Sequence, residues 1–231
     1  MSPESAPSQS QVKKAGRTLR RYGRGEELSA DEVDSAISVV QAFRRAHAAP
    51  LVVANNGLRS MARTEGCRVE VTQRLKRFVT IYNKLQREPT LDLSRMQDIG
   101  GVRAVLDSID EIRRVERRLM GKRPVRGYSD YITDPRESGY RAVHVVVDYR
   151  GRQIEVQLRT PAMHAWALTV ELQSSRTGLN LKQDGSHALQ LLMAEISKAV
   201  ACEEVGEPVP QEVLDEIAKL RTLALPHLRR A

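Results

Sequence analysis

This sequence has little of what several familiar kinds of site are built from. Aromatic residues make up 4% of its 231 residues, too few for the aromatic platforms that stack the bases of single-stranded nucleic acid. Its two cysteines, Cys67 and Cys202, are far apart and lack CxxC or Cys/His spacing, so neither a zinc site nor a disulfide framework is indicated. No apolar run reaches the length of a membrane span, and no hydrophobic signal segment opens the sequence. We therefore expect a cytoplasmic protein that does not contact a membrane.

Positive charge, in contrast, is in excess. The sequence has 37 Lys and Arg against 29 Asp and Glu, a formal net charge of +8. Such a surplus favours polyanionic ligands, among them nucleotides, RNA and acidic lipid surfaces, without choosing among them. Residues 1–28 are rich in Ser, Gln, Pro, Gly, Lys and Arg. We find no apolar periodicity in them and predict a disordered basic arm, either solvated or in contact with phosphates.

The remaining pattern predicts an α+β fold, a mixed β-sheet surrounded by helices. Ser29 and Glu32 form a capping box that opens a helix, and a strand is expected to begin at about Gly101. An amphipathic helix is predicted over 72–87. The chain then divides into the arm of 1–28, a domain of 29–175 with N-terminal helices, and a helical C-terminal extension of 176–231.

A predicted hairpin carries the most informative polar residues. Residues 143–149 and 154–159 are expected to form two strands joined by a turn. In the second strand Glu155, Gln157 and Arg159 recur every two positions, so they share one face. A solvated sheet face satisfies this pattern, and so does a functional site, where the same groups would need partners.

Other candidate residues also have two interpretations. The cations of the predicted helix have no acidic partner at i+4 and are available to an anion or simply solvated; they are Arg74, Lys76, Arg77, Lys84 and Arg87. Asp98 precedes the pair Gly100 and Gly101 and is either a turn residue or a ligand. His144 is equally consistent with a structural role, and for Trp166 a core position is favoured over a ligand contact.

Taken together, these fragments resemble the RelA/SpoT-type alarmone synthetase domain over roughly residues 70–171. They occur in that family's order: Arg74-x-Lys76, Lys84, Asp98-Ile99-Gly100-Gly101-Val102-Arg103, Asp130-Tyr131-Ile132, Pro135-Arg136, Gly139-Tyr140-Arg141-x-x-His144, and Glu155-x-Gln157-x-Arg159-Thr160 followed by Trp166-Ala167. Each fragment is weak alone, but the ordered set is specific. The resemblance implies a small alarmone synthetase with a nucleotidyltransferase-like fold. Such an enzyme is a pyrophosphokinase that moves the β,γ-pyrophosphate of ATP to the ribose 3′-hydroxyl of GDP or GTP.

The resemblance also implies roles for individual residues. Asp98 and Glu155 would hold Mg²⁺, and Glu155 is the candidate base. Arg74 and Arg103 would stack on the adenine of ATP. The remaining residues implied for the site are the phosphate-binding Lys76, Lys84 and Arg159, the acceptor-side Tyr140, Arg136, Arg141 and His164, and the catalytic candidates Gln157 and His144.

The acceptor is the least determined part of this prediction. His164, Arg136 and Leu172 replace residues that are usual on the acceptor side of the family. One branch of the family pyrophosphorylates the 3′ CCA end of tRNA, which a basic chain would suit, and a third interpretation is an inactive RNA-binding regulatory relative. Partners also remain open, including an antitoxin protein and further copies of the chain in a homo-oligomer.

Overall fold

A five-stranded mixed sheet forms the centre of the structure. The computed structural model describes residues 6–181 and 187–228, with side chains described up to residue 225. The strands lie in the order β1-β2-β5-β4-β3; they are β1 Val69–Leu75, β2 Gly100–Leu106, β3 Val125–Asp130, β4 Val143–Tyr149 and β5 Arg152–Arg159. β2 and β5 are parallel, and the other neighbours are antiparallel. The predicted α+β fold is confirmed.

Eight α-helices and one short 3-10 helix surround this sheet in the described residues. They are α1 Gln9–Gly23, α2 Ala30–Arg45, α3 Ala48–Thr64, α4 Phe78–Arg87, the 3-10 helix Leu93–Arg95, α5 Ile109–Lys122, α6 Pro161–Thr177, α7 Ala188–Glu204 and α8 Gln211–Leu228. The capping box of α2 is confirmed, since the amide of Glu32 donates to Ser29 Oγ and the amide of Ser29 donates to the Glu32 carboxylate. In these residues no helix is long and apolar enough to cross a membrane.

The main hydrophobic cluster lies on one face of the sheet, beneath α3 and α5. Val102, Val145 and Val156 from three neighbouring strands pack there with Leu58 of α3 and Ile112 of α5. Because side chains alternate along a strand, burying these residues places their sequence neighbours on the opposite face. The hydrophobic pattern therefore determines which polar residues share the other face of the sheet.

The prediction of a disordered arm over 1–28 is wrong for its described residues; residues 1–5 lie outside them. Ser8 caps α1 by accepting a hydrogen bond from the amide of Gln11. Val12, Ala15 and Leu19 are spaced as one helical stripe and are buried, in a cluster that includes residues of α2 and α4. Few apolar residues suffice when all of them lie on the buried side, because tertiary packing supplies most of a helix's stability.

The predicted helix over 72–87 is wrong in its first part. β1 continues to Leu75, and α4 begins only at Phe78. Arg74 pairs with Gly101 of β2, while the amide of Lys76 donates to the carbonyl of Ile99. Hydrogen bonding to the neighbouring strand outweighs the local helical pattern here, as tertiary context often does.

The predicted C-terminal extension contains α7 and α8, which pack against α6. Leu189 and Met193 of α7 and Leu220 of α8 form a cluster with Trp166 and Val170 of α6. Residues 182–186 and 229–231 of that extension lie outside the described residues. The buried stripe of α6 thus begins in the main cluster with Met163 and continues into the cluster with α7 and α8 through Trp166 and Val170.

Candidate active site

The polar face of the sheet forms two cross-strand rows. Arg74 pairs with Gly101, and Gly101 with Glu155. In the next row Arg103 pairs with Gln157, and Gln157 with His144. The alternation predicted along β5 is confirmed, since Ile154, Val156 and Leu158 are fully buried on the other face. Residues from four strands are thus brought to one surface.

This surface is the floor of a groove made of three adjoining cavities of about 440, 180 and 630 Å³. We call it the polar groove. The cavities of about 630 and 440 Å³ share Lys76, Asp98, Glu155 and Gln157. The cavities of about 180 and 440 Å³ share Arg74, Arg103, Gln157 and Glu171. The face is therefore recessed, unlike an ordinary solvated sheet face.

Asp98 is held between two lysines at this groove. Lys76 Nζ lies 2.6 Å from Asp98 Oδ2, and Lys84 Nζ lies 3.3 Å from the same oxygen. Lys76 follows β1, Lys84 projects from α4, and Asp98 lies two residues before β2. A carboxylate between two ammonium groups can exchange its partners. A bound phosphate would attract the ammonium groups, and a bound cation would attract the carboxylate. The structure thus brings together three residues that are separate in sequence.

Glu155 begins a chain of hydrogen bonds along the groove. Its carboxylate accepts from Gln157 Nε2 at 2.7 Å and lies 3.2 Å from His144 Nδ1. Burial by itself raises the pKa of Glu155, but the hydrogen bond and charge interaction with His144, the hydrogen bond from Gln157 and the charge of Lys76 outweigh it and lower that pKa to about 2. Glu155 is therefore an anion at neutral pH.

The chain continues to the other side of the groove through a tyrosine. Tyr140 Oη lies 2.6 Å from His144 Nε2 and accepts a hydrogen bond from Arg159 at 2.7 Å. Arg159 also donates to Gln157 Oε1 at 3.1 Å. The Tyr140 ring is partly buried beside Trp166, and burial raises the pKa of its hydroxyl.

Three arginines, Arg74, Arg103 and Arg159, line one part of the groove and add positive charge there. Burial, followed by the charges of Arg159 and Arg74, lowers the pKa of Arg103. The Nε atoms of Arg103 and Arg159 are buried, and neither has a hydrogen-bond partner among the described residues. Clustered guanidinium groups with unused donors form a site that an anion would stabilise.

Two residues predicted for the acceptor side have other positions. Arg141 is buried and its guanidinium pairs with Glu204 of α7, so it does not point into the polar groove. His164 lies on α6 near the charges of Arg103 and Arg159; burial and those charges lower its pKa. It is absent from the lining of all three cavities. Side-chain direction, which the motif did not reveal, decides both positions.

Arg136 does reach the groove, and Trp166 belongs to the core. The Arg136 guanidinium lies 4.5 Å from the centre of the Tyr131 ring and donates to its hydroxyl. Trp166 is 6% exposed, and its indole donates to the carbonyl of Met193 at 2.7 Å. The preferred interpretation of Trp166 as a core residue is confirmed, although it also lines the 180 Å³ cavity.

Sequence reasoning missed two residues of the groove. Tyr131 packs edge-on against the rings of Tyr140 and His144, at centroid distances of 5.7 and 5.3 Å. Its place in the fragment Asp130-Tyr131-Ile132 was the available signal. Glu171 lines two of the cavities beside Arg74 and Arg103. One turn separates it on α6 from Ala167, and that helical spacing could have placed it on the same side.

Two carboxylates of the groove could hold a metal ion. Asp98 and Glu155 line the same two cavities, and their oxygens are the hard ligands that Mg²⁺ prefers. Within the described residues no group of three or more His, Cys, Asp or Glu could hold a metal. This donor set fits an ion that arrives with substrate phosphates, because Mg²⁺ is commonly bound by one or two carboxylates together with phosphates and water.

Comparison with known proteins agrees with this geometry. Residues 73–174 match the region found in RelA/SpoT proteins. The GTP pyrophosphokinase YjbM of Bacillus subtilis is 36% identical over 128 residues, which are 50% of this chain and 58% of that protein. The matched region thus spans little more than half the length of that relative.

Solved structures extend the likeness beyond the matched region. The small alarmone synthetase 1 of Bacillus subtilis, bound to its product pppGpp, is 27% identical, with a TM-score of 0.58 over 79% of this chain and 94% of that one. The small alarmone synthetase 2 of the same organism, 23% identical, gives a TM-score of 0.58 over 72% and 96% and supports the fold alone. Residues 73–174 thus match the RelA/SpoT region, and the fold of the chain is similar to that of the small alarmone synthetases.

Proposed function

We propose that this protein is a pyrophosphokinase that transfers the β,γ-pyrophosphate of ATP to the ribose 3′-hydroxyl of GDP or GTP. One observation carries the proposal: Asp98 and Glu155, 57 positions apart, line the same cavities of a groove walled by arginines and lysines. The names of the relatives point the same way, since one is a GTP pyrophosphokinase and a solved structural neighbour binds pppGpp.

ATP would bind along β1 and β2. Arg74 and Arg103 are diagonal neighbours on the polar face, because Arg74 pairs with Gly101 and Arg103 with Thr72. Diagonal positions lie about 7–8 Å apart, a gap that admits one flat ring between two guanidinium planes. The adenine would occupy this gap, and Lys76, Lys84 and Arg159 would face the phosphates.

A bound nucleotide would also rearrange the charges around Asp98. Lys76 and Lys84 neutralise that carboxylate in the structure. Phosphate oxygens would compete for both ammonium groups, which releases Asp98 to join Glu155 in holding Mg²⁺. Mg²⁺ held by Asp98 and Glu155 would supply positive charge that offsets the negative charge developing during transfer.

In the transfer step, the acceptor's 3′-oxygen forms a bond to the β-phosphorus, and the bond from that phosphorus to the α,β-bridging oxygen breaks. AMP leaves with the electron pair of the broken bond. The hydroxyl proton passes to the part of the groove that contains Glu155 and His144, with Glu155 as the base. With a pKa of about 2, Glu155 is a weak base in the resting groove, whereas the charge of incoming phosphates would raise its proton affinity. His144, in contact with Glu155 Oε1, is the neighbour that can share this proton.

The acceptor nucleoside would bind beside Tyr140. The 180 Å³ cavity is lined by Arg136, Tyr140, His144 and Arg159. The hydroxyl of Tyr140 is held by His144 and Arg159, so the ring has a fixed orientation before any base arrives. A base that stacks on a fixed ring loses less entropy on binding than one that must also order the ring.

An acceptor assay tests the proposal. The purified chain, Mg²⁺ and ATP labelled in its β- or γ-phosphate are mixed with GDP, GTP or deacylated tRNA. We expect label in GDP or GTP and AMP as the second product. Label in tRNA alone would show that tRNA, and not GDP or GTP, is the acceptor. No label in any acceptor would refute the proposal.

Two variants connect the reaction to the groove. Asp98→Asn and Glu155→Gln should each lower the transfer rate by at least about 10³-fold, because each removes a metal-binding charge at the transition state. ATP binding, measured by equilibrium dialysis without Mg²⁺, should change little. Transfer at a wild-type rate in Glu155→Gln would show that the roles are wrongly assigned.

A further inference from the structure

The end of the loop that leads into β4 and the end of β5 are joined by a carboxylate from outside the matched region. Glu204 is the last residue of α7, 30 positions beyond the end of the RelA/SpoT match. One of its oxygens pairs with the guanidinium of Arg141, and the other accepts a hydrogen bond from the hydroxyl of Thr160. These contacts are largely shielded from water, since the Arg141 and Glu204 side chains are 6% and 11% exposed.

The positions of these two partners give the contact its significance. Arg141 directly follows Tyr140, and Thr160 directly follows Arg159. Tyr140 and Arg159 are themselves hydrogen-bonded at 2.7 Å inside the groove. The outer link through Glu204 therefore holds the same two backbone segments whose inner link orients the Tyr140 ring.

A second contact from α7 holds the loop one residue before Tyr140. Ser197 Oγ donates to the carbonyl of Gly139 at 2.6 Å. Gly139 has φ +86°, and a Cβ there would lie 2.8 Å from the Cα of Ala194, so only glycine lets the loop approach α7 this closely. The Trp166 indole donates to the carbonyl of Met193 on the same helix.

We propose that Glu204 is a positioning residue for the acceptor side of the polar groove. It acts through Arg141 and Thr160 to fix the distance between Tyr140 and Arg159. This inference rests on the proposed function, because it assumes that the acceptor base stacks on Tyr140. Its new content is that α7 orients the Tyr140 ring. Helix α7 then sets acceptor affinity without lining the groove, whereas ATP keeps the contacts that lie outside this link, with Arg74 and Arg103 of β1 and β2 and with Lys76 and Lys84.

Glu204→Gln tests this assignment. The variant keeps the size of the side chain but removes the charge that a buried guanidinium requires. We expect the KM for GDP or GTP to rise about tenfold, the size expected when a hydrogen bond to a charged group is lost, whereas the KM for ATP stays within about twofold. Glu204→Asp, which keeps the charge, should restore part of the acceptor affinity. Equal changes in both KM values, or none, would overturn the proposal.

Two further variants make the result decisive. Glu203→Gln is the matched control, because Glu203 is exposed on the same turn of α7, and both KM values should match those of wild type. If Glu204→Gln does not fold, Ser197→Ala takes its place. It should raise the acceptor KM about threefold, since it removes one neutral hydrogen bond, and an unchanged ratio of the two KM values would overturn the proposal.

The fluorescence of Trp166 separates this inference from the proposed function. Trp166 is the only tryptophan of the chain and lies between Tyr140 and α7, with its ring 6.4 Å from that of Tyr140. Glu204→Gln should shift its emission to longer wavelength and increase quenching by acrylamide, whether or not the protein transfers pyrophosphate. An inactive wild-type protein would refute the proposed function, whereas unchanged emission in the variant would refute the positioning role.

Discussion

Glu155→Gln should change how the stability of the protein depends on pH. The folded protein lowers the pKa of Glu155 from its ordinary value of 4.5 to about 2, so folding favours the ionised form. The resulting stabilisation is fully present above pH 4.5 and is lost as the pH falls through about 2. Its full size is about 3 kcal/mol, of which about 2 kcal/mol should be lost by about pH 3.

The assay is urea denaturation followed by the fluorescence of Trp166, at pH values from about 6 to about 3. The free energy of unfolding of wild type should fall more steeply with acid than that of Glu155→Gln. The gap between the two proteins should narrow by about 2 kcal/mol over this interval. Glu27→Gln removes an exposed carboxylate and serves as the control, with a profile parallel to that of wild type.

A second variant identifies the cause of the shift. Among the groups that lower the pKa of Glu155, His144 has the largest effect. The free energy of unfolding of His144→Asn should therefore fall less steeply with acid than that of wild type. If the profiles of wild type and Glu155→Gln run parallel between about pH 6 and 3, the hydrogen-bond chain does not stabilise the carboxylate and our reasoning about the groove is wrong.

The remaining predictions concern the arginines and the first helix. Arg103→Met should raise the KM for ATP about tenfold, as expected when a charged contact is lost. It should not lower the free energy of unfolding, because Arg74 and Arg159 repel Arg103 in the unliganded groove. A fall in the free energy of unfolding would contradict this. Leu19→Ala should cost about 3 kcal/mol in urea denaturation, since Leu19 is 1% exposed. Arg17→Ala, on the exposed side of α1, should cost almost nothing, and equal effects would contradict the packing of α1.

The sequence predicted well wherever a strand has a buried and a polar face. Glu155, Gln157 and Arg159 alternate with apolar residues, and the structure places them on the polar groove as the alternation predicts. The capping box of α2 is equally local, because its donors and acceptors lie within four residues of chain. Such features need no knowledge of distant contacts.

Prediction failed where a distant partner decides the conformation or the direction of a side chain. Residues 72–75 have helical spacing, but pairing with β2 makes them a strand. Arg141 lies inside a motif, yet its buried charge turns toward Glu204, 63 positions away. The stripe of α1 was missed because three apolar residues among many polar ones show no clear period without the cluster against which they pack.

The sequence by itself determined the set of charged groups, the polar face of β5 and the α+β class, because each of these follows from local spacing and side-chain chemistry. The tertiary structure decided that Asp98 lies between Lys76 and Lys84, that Arg141 serves α7 instead of the groove, and that residues 9–23 form a packed helix. The physical reason is that buried charges and apolar stripes are stable only against particular partners. Those partners are chosen by the packing of elements that are far apart in the chain.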